Sequence, residues 1–417
     1  MPGILGRLTS VPCFFGLKIA SALVLLKLSA SFLPVAGFSV FSQLMLFAAL
    51  ANVLALCGAQ NGVVRQAAAA GTAEDLARTQ AAAFAIWGAA VPLMLLPVFI
   101  AGGPISTVLV GSPAQAQVVL AIAAVALVGA PGQICCGLLT GRKRVARSLL
   151  AQAAGLIAGG SGAAWRITAH DPTGAALAFA AGSVITTLVA VPFALQLRIP
   201  LIPQHLGWGP VRTLLRYSAA FALTSGYAAV VLFALRSIYR EHFGVTQLGY
   251  WLAANRVSDM STQLLGLFMI QVFVPHMAGA MGERQRRTIL LRSWAAAVGV
   301  MSTFVLVFWL ASGLLIHLFL SDAYLPAVQA IRTYMIGDVL RVWPSLAMFT
   351  AFAGGRPLRF AGIEVGALSM MAVITTALIT AGDHAAPQLG YVIAYASAAA
   401  LVSMVYLLRP APQPAVA

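Results

Sequence analysis

The sequence predicts an all-α polytopic membrane protein of about twelve transmembrane helices, and three observations carry that expectation. Of its 417 residues, 61% are hydrophobic and only 8% charged, with a mean hydropathy of +0.93. An ordinary soluble domain is about 45–50% apolar and roughly 25% charged, so a soluble fold of this size lacks the charges to clothe its surface. Disorder fails for the opposite reason, because the apolar content is far too high. Second, apolar stretches long enough to span a bilayer, about 20 residues each, recur along the whole chain. Third, the loop charges fall overwhelmingly on one side.

The apolar runs lie at about 10–33, 37–60, 81–102, 116–139, 147–167 and 173–196, with boundaries good to a few residues. A second set lies at about 214–236, 247–274, 291–317, 325–351, 358–381 and 387–408. The polar, proline-containing stretch Leu197–Pro210 divides them six and six. This predicts two six-helix lobes, 1–203 and 204–417, of the kind many transporters build as structural repeats. The fifth run is weakly apolar and rich in small residues, and Gly155 and Gly159 form a GxxxG pair that lets helices approach closely. It reads as a helix packed inside a bundle. Pro92, Pro97, Pro131 and Pro344 fall within spans, where proline kinks helices.

With the N-terminus in the cytoplasm, that side collects Arg7, Arg65, Arg78, Arg142, Lys143, Arg144, Arg147, Arg198, Arg212 and Arg216. It also collects Arg284, Arg286, Arg287, Arg292, Arg356, Arg359 and Arg409, seventeen in all. The opposite side holds three, Arg166, Arg236 and Arg240. The positive-inside rule then puts both termini in the cytoplasm. The basic loops 141–147 and 283–287 read as topology signals and contacts for anionic lipids. The net charge of +15 therefore needs no nucleic acid. Cys13, Cys57, Cys135 and Cys136 all sit in apolar segments and read as small core residues, with no disulfide framework and no metal site. The first apolar stretch lacks a small-residue cleavage signature and reads as a retained helix.

Eight charges fall inside spans: Lys18, Lys27, Arg256, Arg332, Arg341, Asp259, Asp338 and Glu364. Each costs about 2.5–3.5 kcal/mol at the bilayer centre on insertion scales, so such residues face a bundle interior or a watery cavity. Arg256 with Asp259, and Asp338 with Arg341, are i, i+3 pairs on one helix face. Each pair reads equally well as a helix pin or as a working group. Glu364 has no basic neighbour on its own face; it is either a proton-responsive acid or the partner of a cation on another helix. Lys18 and Lys27 have no membrane acid in the first lobe to neutralise them, because Glu74, Asp75 and Asp171 read as loop residues. Lys18, deeper in its span, points to the lumen, whereas Lys27 can snorkel to the periplasmic interface. Arg332 reads as an interface residue. Surplus cations in a membrane path focus anions, and arginine's forked donors match phosphate.

The chain resembles the Wzx-type flippases of lipid-linked polysaccharide repeat units, within the multidrug/oligosaccharidyl-lipid/polysaccharide exporter superfamily. More narrowly it resembles the branch that handles the enterobacterial-common-antigen lipid intermediate. The resemblance rests on Lys18 and Lys27 in the first helix, and on Gly58–Arg65 as a basic turn after the second. In the second lobe it rests on Leu248-Gly-Tyr-Trp, Val257-Ser-Asp259, Ile336–Arg341, and Leu358-Arg-Phe360 with Glu364. Arg256 departs from it, standing where a small polar residue is expected, and loop 72–80 is less charged than expected. The resemblance implies two six-helix lobes forming a V around a central cavity. It implies an undecaprenyl-pyrophosphate-linked glycan as substrate, moved from the cytoplasmic to the periplasmic leaflet of the bacterial inner membrane, with coupling to an ion by antiport. A polymerase and a chain-length regulator of the same pathway would be its partners.

The substrate-binding set is then Lys18, Lys27, Arg65, Arg256, Arg341 and Arg359, and the coupling set Asp259, Asp338 and Glu364. No cofactor is called for. A drug or cation antiporter of the same superfamily is the first rival; it needs membrane carboxylates facing its substrate, and the first lobe has none. A polymerase or glycosyltransferase needs a sizeable loop with paired carboxylates or a metal motif. The longest loops here are about twenty residues, and the six histidines show no ligand spacing. The chain therefore reads as a transporter and not an enzyme. A purely structural scaffold leaves the first-helix lysines unexplained.

Overall fold

A computed structural model describes residues 2–56, 58–197, 207–269, 273, 276–277, 282–353 and 357–407. Among them the chain is helical, with no strand. In order, the helices are α1 (Pro2–Phe32), α2 (Val35–Ala55), α3 (Gln60–Ala69), α4 (Ala73–Ile100), α5 (Gly102–Val110), α6 (Ala116–Gly141), α7 (Val145–Thr168) and α8 (Pro172–Leu195). They continue as α9 (Trp208–Phe268), α10 (Glu283–Phe319), α11 (Val328–Ala353), α12 (Pro357–Thr380) and α13 (Ala386–Leu407). Seven of the described helical stretches are long and apolar enough to cross a membrane. The protein is an all-α polytopic membrane protein.

The two longest helices each exceed any apolar run. α9 joins the expected seventh and eighth spans, broken only at Gly244 (φ 83°, ψ 170°). At that positive φ only glycine is relaxed. α10 is interrupted at Ala311 (φ −109°, ψ 19°). Two short helices, α3 and α5, stand where the hydropathy pattern shows only loops. Arg65 accordingly lies on a ten-residue helix and not on a turn. The linker residues 198–206, together with Arg198, Arg356, Arg409 and Cys57, lie outside the described residues.

The chain divides into two compact units, residues 1–237 with 317–323, and residues 238–316 with 324–417. In the first, Phe41, Leu44 and Phe47 of α2 pack with Ile122, Ile134 and Leu138 of α6 into one apolar core. α7 and α8 meet through glycine. A Cβ on Gly159 would lie 2.7 Å from the Phe179 carbonyl oxygen, and one on Gly155 would collide with the Gly182 carbonyl and the Thr186 hydroxyl. The GxxxG pair works as expected, but α7 is not enclosed. Ser148, Ala151, Gly155, Gly159 and Ala163 make a buried stripe, while Leu150, Ile157 and Trp165 face outward. Small residues on one face and large apolar ones on the other suit a helix with lipid behind it. Cys135 and Cys136 are buried as expected, whereas Cys13 is exposed.

The acids of the first unit are spent on helix ends. Glu74 and Asp75 form the first turn of α4 and not a loop. Thr72 caps that turn reciprocally with Asp75, and Glu74 pairs with Arg78 four residues on. Asp171 caps α8, accepting from the Gly174 N–H at 2.8 Å and the Thr173 hydroxyl at 2.9 Å, and pairs with Arg166 at 2.9 Å. Burial works against its charge, but these donors outweigh it and hold the carboxyl below its ordinary range. The second unit has its own core, in which Leu265, Met269 and Phe273 pack with Leu290, Met301, Val342 and Leu346.

Two outcomes follow for stability. Gly155→Leu must push apart a pair of backbones in contact and should cost about 1–3 kcal/mol, read as a lower midpoint of thermal unfolding in detergent. Asp171→Ala should cost about 0.5–2 kcal/mol at neutral pH. Because the folded carboxyl titrates below its unfolded value of about 3.9, its contribution is complete above that value and lost as pH falls through the folded one. The parent and Asp171→Ala curves should therefore converge in acid.

Candidate transport site and coupling network

Among the described residues of the second unit, the most deeply buried acid is Asp338, on α11. This carboxylate is fully buried. Its Oδ1 accepts from the Ser258 hydroxyl at 2.7 Å and the Tyr391 hydroxyl at 2.9 Å, and its Oδ2 from the Ser261 hydroxyl at 2.5 Å. Ser258 and Ser261 are one turn apart on α9, and Tyr391 comes from α13. The approach of Tyr391 depends on Gly337, where an added Cβ would sit 2.6 Å from the Tyr391 Cε1 atom. The hydroxyl of Tyr334 takes the Trp251 indole N–H at 2.5 Å, and its ring packs 5.1 Å from that of Tyr391.

One turn along α11, Arg341 forms an ion pair with Glu364 of α12, Nη2 to Oε1 at 2.9 Å, while its charge still acts on Asp338. Its guanidinium also stacks 4.9 Å from the Tyr395 ring centroid. The i, i+3 pairing of Asp338 with Arg341 is thus replaced by a pairing between helices. Of the two readings of Glu364, the structure shows the one in which it meets a cation on another helix. The physical reason is geometric: a long guanidinium reaches a facing helix more easily than it folds back on its own. On α9, Asn255 donates to Asp259 at 3.3 Å, and Asp259 is the acid whose charge acts on Arg256. Arg359 is exposed near the start of α12.

In the first unit the cations are spread out. Lys18 is exposed on α1 and Arg65 exposed on α3. Lys27, half-buried, donates its ammonium to two main-chain carbonyls, His317 at 2.7 Å and Leu320 at 2.8 Å. One buried cation was not legible in the pattern. Arg236, placed in a periplasmic loop by the charge count, lies within α9 with 5% of its surface exposed and donates to Gln43 Oε1 at 3.0 Å. Its position at the edge of an apolar run hid it. Among the described residues no three His, Cys, Asp or Glu side chains converge as a metal site.

These features define an all-α, multi-pass membrane protein. The chain superposes on a multidrug-resistance transporter of the MATE family in its inward-facing conformation, with a TM-score of 0.76 and 16% identity over 94% of this chain and 96% of that one. It superposes equally on the lipid II flippase MurJ in an inward closed conformation, with a TM-score of 0.75 and 13% identity over 97% and 88%. In sequence it is similar to the lipid III flippase of Escherichia coli (strain K12), 23% identical over 400 residues that cover 94% of this chain and 95% of that protein. No protein-family model matches the chain.

The ion pair yields a test. Arg341→Ala leaves the half-buried Glu364 carboxylate without its cation and should cost about 1–3 kcal/mol, whereas Arg341→Ala with Glu364→Ala should recover some of that loss in the same unfolding assay. Gly337→Ala should displace the Tyr391 ring and destabilise the fold more than Tyr391→Phe, which removes one hydroxyl and leaves the packing.

Proposed function

We propose that this protein is a flippase for a lipid-linked oligosaccharide, carrying an undecaprenyl-pyrophosphate-linked glycan from the cytoplasmic to the periplasmic leaflet of the bacterial inner membrane. The observation that carries the reading is the division of charge. In the first unit the described acids stand at helix ends or in loops, while Lys18 and Arg65 present cations outward. A path with surplus positive charge attracts a pyrophosphate and repels a cation. The cation-antiporter reading shares the fold but not that sign of charge. The similarity in sequence to a lipid III flippase over nearly the whole length supports the same choice.

The two-lobe division at 203/204, the V-shaped cavity and the cytoplasmic termini belong to this proposal. So do the anionic lipids at the basic loops; there Arg142 also reaches the Ala70 carbonyl at 3.1 Å and Arg147 the Gln196 side chain at 2.5 Å. Lys18, Arg65 and Arg359 are the proposed pyrophosphate contacts, with Arg256 flanking them. The chain works as a transporter, without catalysis; a polymerase and a chain-length regulator would take its product.

Coupling is assigned to the network of the second unit. Arg341 and Glu364 neutralise one another and lock α11 to α12. Asp338, whose direct partners are three hydroxyls, can exchange charge for a proton with those partners still in place, and Asp259 modulates Arg256. This moves the proton-responsive role from Glu364 to Asp338. Proteoliposomes loaded with lipid-linked oligosaccharide test both halves. Lys18→Ala should lose about tenfold or more of transport, the scale of a charge-assisted contact, with Lys18→Arg retaining some of it. Asp338→Asn should move substrate without responding to an imposed pH gradient. Unchanged transport by Lys18→Ala at normal protein levels removes that residue from the path, and a parent-like gradient response in Asp338→Asn removes Asp338 from coupling.

A further inference from the structure

α10 begins in one unit and ends in the other. Residues 283–316 belong to the second unit and residues 317–323 to the first. Each side of that crossing is held by a cation that donates to the main chain. On the second-unit side, Arg332 of α11 donates to the Trp309 carbonyl at 3.1 Å and the Ser312 hydroxyl at 2.7 Å, and its guanidinium lies 5.4 Å from the Trp309 ring centroid. The Ala311 break sits inside this grip. A helix break frees carbonyls that must find donors elsewhere, and Arg332 donates to that of Trp309.

On the first-unit side, Lys27 donates to His317 and Leu320, and the Ser321 hydroxyl donates to the Ala30 carbonyl at 2.8 Å. The last four carbonyls of a helix lack intrahelical partners, and a cation there meets the negative end of the macrodipole. Lys27 thus caps α10 from 290 positions away. The end of α1 is in turn pinned by His170, whose Nδ1 lies 2.6 Å from the Phe32 carbonyl. Between the two grips remain Gly313, Leu314, Leu315 and Ile316.

We propose that Lys27 and Arg332 are paired positioning residues that clamp α10 on either side of a four-residue flexure, Gly313–Ile316, through which the second unit moves during transport. Lys27 then acts by fastening residues 317–321 to α1 and not by touching substrate. The other long helix is built in parallel: the chain leaves the first unit at 237/238, and Gly244 breaks α9 six residues further on, just as Ala311 breaks α10 six residues short of 317. The inference rests on the flippase reading for its transport arm only.

The test uses the full chain with its four native cysteines replaced, in lipid nanodiscs and in proteoliposomes. Lys27→Met should raise amide hydrogen exchange of residues 317–321 by about tenfold, as loss of charge-assisted bonds does, and lower transport with substrate affinity unchanged. Lys27→Arg should restore both. A cysteine pair at Ala30 and Ser321, joined by a short bifunctional thiol reagent, should restore exchange protection and transport to Lys27→Met and leave the Lys27 protein active. The proposal is overturned if Lys27→Met leaves the exchange of 317–321 unchanged, or if it weakens substrate binding as much as transport. It is also overturned if the cross-link stops transport until the reagent is reduced. Should the parent move no lipid-linked oligosaccharide, the flippase reading fails, while the exchange arm still decides the clamp.

Discussion

A carboxylate with no contact with water has to be met by donors of the protein, and in the second unit that demand belongs to Asp338. Desolvation makes a half-satisfied charge far more costly than an apolar side chain. Two serines one turn apart must face it from α9, which sets the rotation of that helix against α11. A tyrosine must reach it from α13, which requires Gly337 to leave room for the ring. With Tyr391 in place, its neighbours Tyr395 and Tyr334 follow, one carrying the Arg341 guanidinium on its face and the other receiving the Trp251 indole. Arg341 then reaches Glu364 and brings α12 into register. Four helices are positioned by one buried charge and its consequences.

The first unit solves the opposite problem. It has no such carboxylate, and its helices are brought together by the absence of side chains along α7 and α8 and by aromatic and aliphatic packing between α2 and α6. Glu74, Asp75 and Asp171 cap helices or pair with nearby arginines, and Asp322 meets His317. Its cations are left to other uses: Lys27 and Arg236 reach acceptors inside the unit, while Lys18 and Arg65 are exposed. The units differ in how they handle charge, and the proposed function assigns the anionic substrate to one and the ion to the other.

In that proposal the two tasks are kept in separate units. Neutralising a pyrophosphate needs cations that a proton cannot remove at physiological pH, and lysine and arginine meet that need. Sensing a gradient needs a carboxylate whose partners survive its protonation, and neutral hydroxyls tolerate both states. A carboxylate in direct contact with arginine, as Glu364 is, serves as a fastening between helices. The partner of each acid therefore decides its role.

The class of protein was legible from composition alone, because a chain with 8% charge has only a bilayer in which to fold. Span positions, the close approach at Gly155 and Gly159, and the embedded charges followed from hydropathy and spacing, which are local properties. The partners of those charges were not legible. Arg341 has an acid three residues away and chooses one twenty-three residues on; Lys27 ends on carbonyls 290 residues away; Arg236 leaves its apparent loop for the interior. Periodicity shows which residues share a helix face, but not which helix that face meets. Where the medium offers no water, a charge takes the best donor or acceptor within reach of its side chain. Reach is set by the packing of whole helices, so only the tertiary structure decided it.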